Sequence, residues 1–138
     1  MSQPSTYLAF DYGSRRIGTA VGDDLTRTAR ALSAVATGDW NALDRLLREW
    51  RPAALVLGLP LDEAGGDQPI TVEARRFSRQ LAERYQLPIH ECDERYSSRA
   101  ADDVLREARA SGRMARRVRK GDRDGEAARV ILEQWLSQ

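Results

Sequence analysis

Two short segments that are apolar on both of their alternating faces constrain the fold of this chain most. They read TYLAF at residues 6–10 and AALVLGLP at residues 53–60. A strand that is buried on both faces belongs to the interior of a sheet covered on two sides. The two segments therefore predict an α/β protein with helices on both faces of its sheet.

The segments around them complete a predicted order of β-β-β-α-β-α-β-α-α. RRIGTAVGD and TARALSAVAT predict two strands that form an antiparallel meander with the first, after a turn at Gly13 and Ser14. Leu43, Leu46 and Leu47 recur at helical spacing after a capping Asp39. A fifth strand is predicted in LPIHEC, and further helices over residues 70–85, 97–110 and 123–136. Together these elements predict a mixed five-stranded sheet.

Length and composition predict one domain over residues 1–138. The chain has 138 residues, of which 41% are hydrophobic, and this is the usual size of a single domain. Its apolar runs fall well short of the roughly 20 residues of a membrane span, and its start lacks the pattern of a signal peptide. Cys92 is the only cysteine, which excludes an internal disulfide or a Cys-rich zinc site. We therefore expect a cytoplasmic protein that does not bind a membrane.

Basic residues are concentrated in residues 106–123. This segment holds eight Arg or Lys and two acidic residues, hence a net charge of +6, although the whole chain has only +1. Arginine suits bidentate contact with phosphate, so the segment predicts a nucleic-acid surface. The alternative is a solvated helix and loop in a chain that is rich in arginine.

Asp11 follows directly on the first apolar segment. Open α/β sheets bind their ligands at the edge where such strands end, which makes Asp11 a candidate ligand-binding residue. The alternative is an ordinary turn aspartate before Gly13.

Asp124 lies on the apolar stripe of the last predicted helix. Ala128, Ile131 and Trp135 all fall within about 40° of it around the helix axis. The helix dipole explains an acid in the first turn, but it does not explain an acid that faces the sheet. A carboxylate facing inward needs a charged partner or a bound cation.

Glu91, Asp93 and Glu94 end the last predicted strand. If the first and last strands are neighbours, an acid at this end approaches Asp11, and Asp124 closes over both. Such a cluster favours hard divalent cations, Mg²⁺ or Mn²⁺. Two such ions about 3.5–4 Å apart activate water and stabilise the leaving oxygen in phosphodiester cleavage.

The single histidine, the single cysteine and the tryptophans have structural explanations. His90 is the only histidine and sits in a predicted strand, which favours packing over catalysis. Cys92 lacks the His and Asn partners of a cysteine nucleophile. The three tryptophans fall on apolar helical faces, so we assign them to the core.

Four blocks in this order and spacing resemble the YqgF family, which belongs to the RNase H-like superfamily and is related to RuvC-type Holliday junction resolvases. They are FDYGSRRIGTAVGD (10–23), LVLGLPLDEAGG (55–66), DERYSSRAA (93–101) and KGDRDGEAARVILEQWL (120–136). The resemblance covers nearly the whole chain. It implies an RNase H-like fold and a metal-dependent nuclease that matures the 5′ end of pre-16S ribosomal RNA.

The resemblance also implies which residues act. The family's acids correspond to Asp11, Glu94 and Asp124, as ligands of Mg²⁺ or Mn²⁺, and Glu94 is preferred over Asp93 on this ground alone. The basic positions Arg16, Arg95 and Lys120 also match the family, and together with Arg116, Arg117 and Arg119 of the basic segment they are expected to hold nucleic acid. Lys120 is the only lysine among the 22 basic residues.

The sequence leaves the substrate and the oligomeric state open. Precursor rRNA, with the ribosomal subunit precursor as a partner, is the leading interpretation. A Holliday junction of branched DNA is the alternative, for which a two-fold dimer is expected rather than a monomer. A nucleic-acid-binding module without catalysis is the alternative from another class.

Overall fold

The computed structural model of the protein describes residues 5–62, 64–93 and 120–138, with only the backbone of residues 120–124. The described strands are β1 (Thr6–Asp11), β2 (Arg16–Asp23), β3 (Ala29–Ala36), β4 (Ala54–Leu59) and β5 (Ile89–Asp93). The described helices are α1 (Trp40–Trp50), α2 (Pro69–Tyr85) and α3 (Lys120–Leu136). The predicted helix over residues 97–110 lies outside this part of the chain.

The five strands form one mixed sheet in the order β3-β2-β1-β4-β5. β1, β2 and β3 pair antiparallel, whereas β4 pairs parallel with both β1 and β5. The predicted meander followed by parallel strands is thus confirmed. The predicted approach of the β5 acids to Asp11 assumed that the first and last strands are neighbours. This assumption is wrong, because β4 lies between β1 and β5.

Two apolar clusters cover the two faces of the sheet. Leu8 and Phe10 of β1 belong to the cluster under α1 and α2. Ala9 of β1 belongs to the other cluster, with Ala128, Ile131 and other residues of α3. The alternation along β1 shows why its sequence is apolar throughout, and the prediction of helices on both faces is confirmed.

The ends of α1 and α2 follow from local capping. The Asp39 side chain accepts a hydrogen bond from the Ala42 N–H at 3.1 Å, as predicted. α1 then ends at Arg51, which has the left-handed φ of 46° and precedes Pro52. α2 begins at Pro69, where the Thr71 hydroxyl accepts from the Gln68 N–H at 3.0 Å.

α3 begins at Lys120, three residues before its predicted start. The predicted start at residue 123 is therefore wrong, and the glycine at 121 and the charges around it are the reason why the first turn was not predicted. The predicted apolar stripe nevertheless faces the sheet, since Ala128 and Ile131 are buried and Trp135 packs against the same cluster.

Glycine permits α3 to lie close to the sheet. A Cβ on Gly125 would come within 3.1 Å of the Ala31 Cβ, and one on Gly22 would come within 3.1 Å of the Leu132 side chain. At the far end of α3, the Trp135 ring lies 4.9 Å from Tyr7 and 4.8 Å from His90. The helix is therefore held at both ends.

All described elements contribute to the one sheet or pack on it, and the assignment of residues 1–138 to a single domain stays a prediction. None of the helices in the described ranges is long and apolar enough to cross a membrane.

Candidate active site

Asp11 is the last residue of β1, the central strand. It pairs with Gly18 of β2 on one side and with Gly58 of β4 on the other. Since Ala9 packs under α3, strand alternation puts the half-buried Asp11 side chain on the same face. Neither neighbour in its row contributes a side chain, so the carboxylate stands between two glycines on the α3 face.

The turn after Asp11 requires Gly13. A Cβ at this position would lie only 2.5 Å from the Arg16 carbonyl oxygen. Thr37 fixes the same turn from β3's end, since its hydroxyl donates to the Gly13 carbonyl at 2.7 Å and its N–H to the Arg15 carbonyl at 2.9 Å. The turn therefore returns the chain tightly and starts β2 at Arg16, beside the end of β1.

β5 brings its end to the same edge of the sheet, one strand beyond β4. Cys92 lies in the same row as Gly58, which is paired with Asp11. His90 stacks on Trp135 and Cys92 packs under α3, whereas Ile89 packs on the α1 and α2 side. By alternation Asp93 points to the α1 and α2 face, away from the face that Asp11 occupies.

Glu94 follows Asp93 and lies outside the described residues, as do Arg95, Arg116, Arg117 and Arg119. The structure therefore does not test the predicted roles of these five residues.

Asp124 and Lys120 belong to the first two turns of α3. Gly125 follows Asp124 in the helix. A Cβ added to Gly125 would lie 3.2 Å from the Leu32 carbonyl oxygen. Leu32 pairs with Thr19, which in turn pairs with Phe10, the residue before Asp11. The N-terminal part of α3 thus lies over the sheet at the level where β1 ends.

Within residues 5–62, 64–93 and 125–138, no group of three or more His, Cys, Asp or Glu side chains is placed to hold a metal ion. The side chains of two of the three predicted ligands, Glu94 and Asp124, lie outside the described part of the chain. The proposed three-acid cluster consequently stays a prediction, with Asp11 as its described member.

The residues assigned structural roles behave accordingly. His90 contacts the Trp135 ring, as expected of a packed side chain. Burial raises the pKa of the Cys92 thiol, which disfavours the thiolate that a nucleophile requires. All three tryptophans pack against the two apolar clusters.

Tyr12 is a residue at this edge that sequence reasoning missed. Its ring lies 5.3 Å from that of Phe77 in α2. Burial and the nearby Glu73 carboxylate raise the pKa of its hydroxyl, and Arg76 opposes this shift. The only signal was its position directly after Asp11, which did not reveal its contact with α2.

The fold places the chain in the RNase H-like class of α/β proteins. Thermus thermophilus RuvC in complex with a Holliday junction substrate superposes with a TM-score of 0.57 and 15% identity, over 95% of this chain and 93% of RuvC. The yeast mitochondrial Holliday junction resolvase Ydc2 gives a TM-score of 0.55 and 11% identity, over 94% and 77% of the two chains. At these sequence identities the similarity to RuvC and Ydc2 shows a shared fold alone.

Within that class the chain belongs to the RuvX family, described as Holliday junction resolvase, whose family model matches residues 5–138. Two relatives carry the name "Putative pre-16S rRNA nuclease". The one from Burkholderia cenocepacia HI2424 is 47% identical and the one from Burkholderia lata is 48% identical, each over 141 residues that cover 99% of this chain and 92% of the relative. The resemblance to the YqgF family is confirmed.

Proposed function

We propose that this protein is a divalent-metal-dependent nuclease that hydrolyses phosphodiester bonds at the 5′ end of pre-16S ribosomal RNA in the cytoplasm. The observation that carries the proposal is the position of Asp11. Its carboxylate ends the central strand, between two glycines, on the face that α3 covers. The names of the relatives support the same activity and substrate.

The donor set fits Mg²⁺ or Mn²⁺. Asp11, Glu94 and Asp124 would hold the ions, because carboxylate oxygens are the ligands that hard divalent cations prefer. A soft cation is disfavoured, since Cys92 is half-buried in an apolar cluster. When bound, a pair of such ions supplies an activated water and neutralises charge on the leaving oxygen.

The register supports Glu94 rather than Asp93 as the third acid. Strand alternation from Ile89 assigns Asp93 to the α1 and α2 face of β5, whereas Asp11 belongs to the opposite face. β4 separates β5 from β1, so a ligand from β5 must reach across two strand spacings, about 10 Å. Gly58 lies between them without a side chain, and the longer glutamate is better suited to this reach.

The chain's basic residues would hold and orient the substrate. Arg16 starts β2 beside Asp11, and Lys120 starts α3 near the same level. Arg95 and the arginines at 116, 117 and 119 would extend these contacts along the phosphate backbone. Binding by such contacts should weaken steeply with salt.

Cleavage of four-way DNA junctions is the second candidate, favoured by the description of the RuvX family and by the fold of RuvC. Paired cuts in a junction require a two-fold dimer. The solution mass of the protein, together with its activity on junctions and on precursor RNA of equal length, discriminates between the two substrates.

The decisive experiment measures cleavage of a labelled pre-16S leader RNA with Mg²⁺ or Mn²⁺. The wild-type chain should cut it, and Asp11→Asn and Asp124→Asn should each abolish cutting while they retain RNA binding. Normal cleavage by both variants would show that the catalytic assignment is wrong. Binding without any cleavage by the wild type would support the non-catalytic module instead.

A further inference from the structure

A pocket of about 440 Å³ opens where α1 and α2 end, at the edge of the sheet opposite to Asp11. Its size is that of an ordinary small-ligand site. Leu47 and Leu87 form an apolar floor, Tyr85 lines one side, and Arg48 and Arg51 lie at the rim with Asp44. The pocket thus combines guanidinium groups with an aromatic ring and aliphatic side chains.

Asp44, the acid of this pocket, is already engaged by its neighbours. Its carboxylate accepts two hydrogen bonds from the Arg84 guanidinium, at 2.9 and 2.7 Å. The Tyr85 hydroxyl donates a third at 2.7 Å. These bonds hold the pKa of Asp44 below its usual range and tie the end of α2 to α1. Asp44 is therefore neutralised by Arg84.

Among the described residues, Arg48 and Arg51 are not hydrogen-bonded in this way, although Arg48 also attracts the Asp44 carboxylate electrostatically. Neither makes an ion pair with a side chain in the part of the chain that the structure describes. Both lie at the C-terminal end of α1, where cations interact favourably with the helix dipole. Arg51 ends the helix in a left-handed conformation, secured by its N–H bond to the Leu47 carbonyl at 2.9 Å.

We propose that this pocket is a second substrate site, in which Arg48 and Arg51 bind a phosphodiester of the nucleic acid that is cut at the Asp11 edge. Two guanidinium groups can clamp one phosphate. The Tyr85 ring and the leucine floor fit the face of a sugar or base. The proposal rests on the proposed nuclease function and adds a binding site to it.

The distance from the pocket to the catalytic edge suits an extended substrate. Pro52 lines the pocket and Gly58 pairs with Asp11. The six residues from one to the other span about 20 Å along β4, and the pocket lies on the α1 and α2 face whereas Asp11 lies on the α3 face. A nucleic acid that occupies both sites must therefore pass around an edge of the sheet, so only a strand longer than this distance can reach both.

The test is salt-dependent binding of a labelled leader RNA to the full chain, measured in EDTA so that no cleavage occurs. Arg48→Ala/Arg51→Ala should weaken binding about tenfold at physiological salt and reduce the slope of log K against log salt by about 1.4 to 1.8. The matched control, Arg27→Ala/Arg79→Ala, removes the same charge from two exposed positions outside the pocket. It should retain the wild-type slope.

Equal losses in the pocket variant and the control would overturn the proposal, since only overall charge would then matter. Displacement of the bound RNA by polyglutamate would also overturn the proposal, because the pocket would then be a site for acidic peptides. Melting temperatures of both variants establish that each is folded. If the wild type binds but never cuts RNA, the proposed nuclease function fails, whereas the pocket is still judged by the binding slopes.

Discussion

Gly58 of β4 lies directly opposite Asp11 of β1 in a parallel ladder, and Cys92 of β5 continues the same row. The position next to the candidate catalytic carboxylate is therefore occupied by the one residue type that has no side chain. This arrangement leaves the space between β1 and β5 free of any side chain from β4 in that row.

Gly58→Val should abolish or strongly reduce cleavage without unfolding the protein. A valine suits a buried strand, but its side chain would emerge about 5 Å from the Asp11 backbone and on the same face. We expect at least a tenfold loss of RNA cleavage and weaker Mn²⁺ binding, measured by a cleavage assay and by titration calorimetry. Wild-type cleavage by a folded Gly58→Val variant would show that the site does not extend across β4.

Glu94→Gln and Asp93→Asn form a matched pair, because each replaces one carboxylate by its isosteric amide. Loss of a metal ligand removes several kcal/mol of charge stabilisation, so Glu94→Gln should slow cleavage by at least about 100-fold. Asp93→Asn should cut RNA at nearly the wild-type rate, since Asp93 lies on the other face of β5. The reverse pattern in single-turnover assays would transfer the ligand role to Asp93.

Gly13→Ala should destabilise the protein and impair catalysis together. The added methyl group would meet the Arg16 carbonyl oxygen at 2.5 Å, so the turn must open. We expect a loss of about 1–3 kcal/mol in the free energy of unfolding, measured by urea denaturation. Ser14→Ala, at the exposed position next to it, is the control and should remain within about 0.5 kcal/mol of wild type.

Asp44→Asn should lower stability at neutral pH but not at strongly acidic pH. Hydrogen bonds from Arg84 and then from Tyr85 depress the folded-state pKa of Asp44. Stability from this carboxylate is therefore present above the unfolded pKa of about 3.9 and is lost as the pH falls below it, towards the folded pKa. The melting temperatures of wild type and variant should differ at pH 7 and converge as the pH falls from about 4. A constant difference across this range would contradict the assigned linkage.

The sequence predicted the sheet well because its strongest signal, burial on both faces of two strands, is local. β1 and β4 each alternate between the two apolar clusters, and this leaves few other folds open to them. The stripe of α3 was predicted for the same reason, since Ala128, Ile131 and Trp135 repeat at helical spacing. The early start of α3 was not predicted because its first turn consists of one glycine and three charged residues.

The site was harder to predict because it depends on register and strand order. No local pattern shows that β4 separates β1 from β5, or which face of β5 carries Asp93. The trio of Asp44, Arg84 and Tyr85 joins residues 40 or 41 positions apart in the sequence, so its members looked like ordinary surface residues. The choice of Glu94 came from the family resemblance, and Glu94 itself lies outside the described residues.

The order in which the sheet is built has a consequence for folding. The β1–β3 meander pairs strands that are close in sequence, and it can form early because short loops close quickly. β4 and α3 reach β1 only through long-range contacts. A partly folded chain would thus carry Asp11 without the helix that bears Asp124 packed on the sheet. On the proposed mechanism such an intermediate cannot cut RNA. Cleavage activity would therefore appear only with the complete tertiary structure. A misfolded copy would leave the transcripts around it intact.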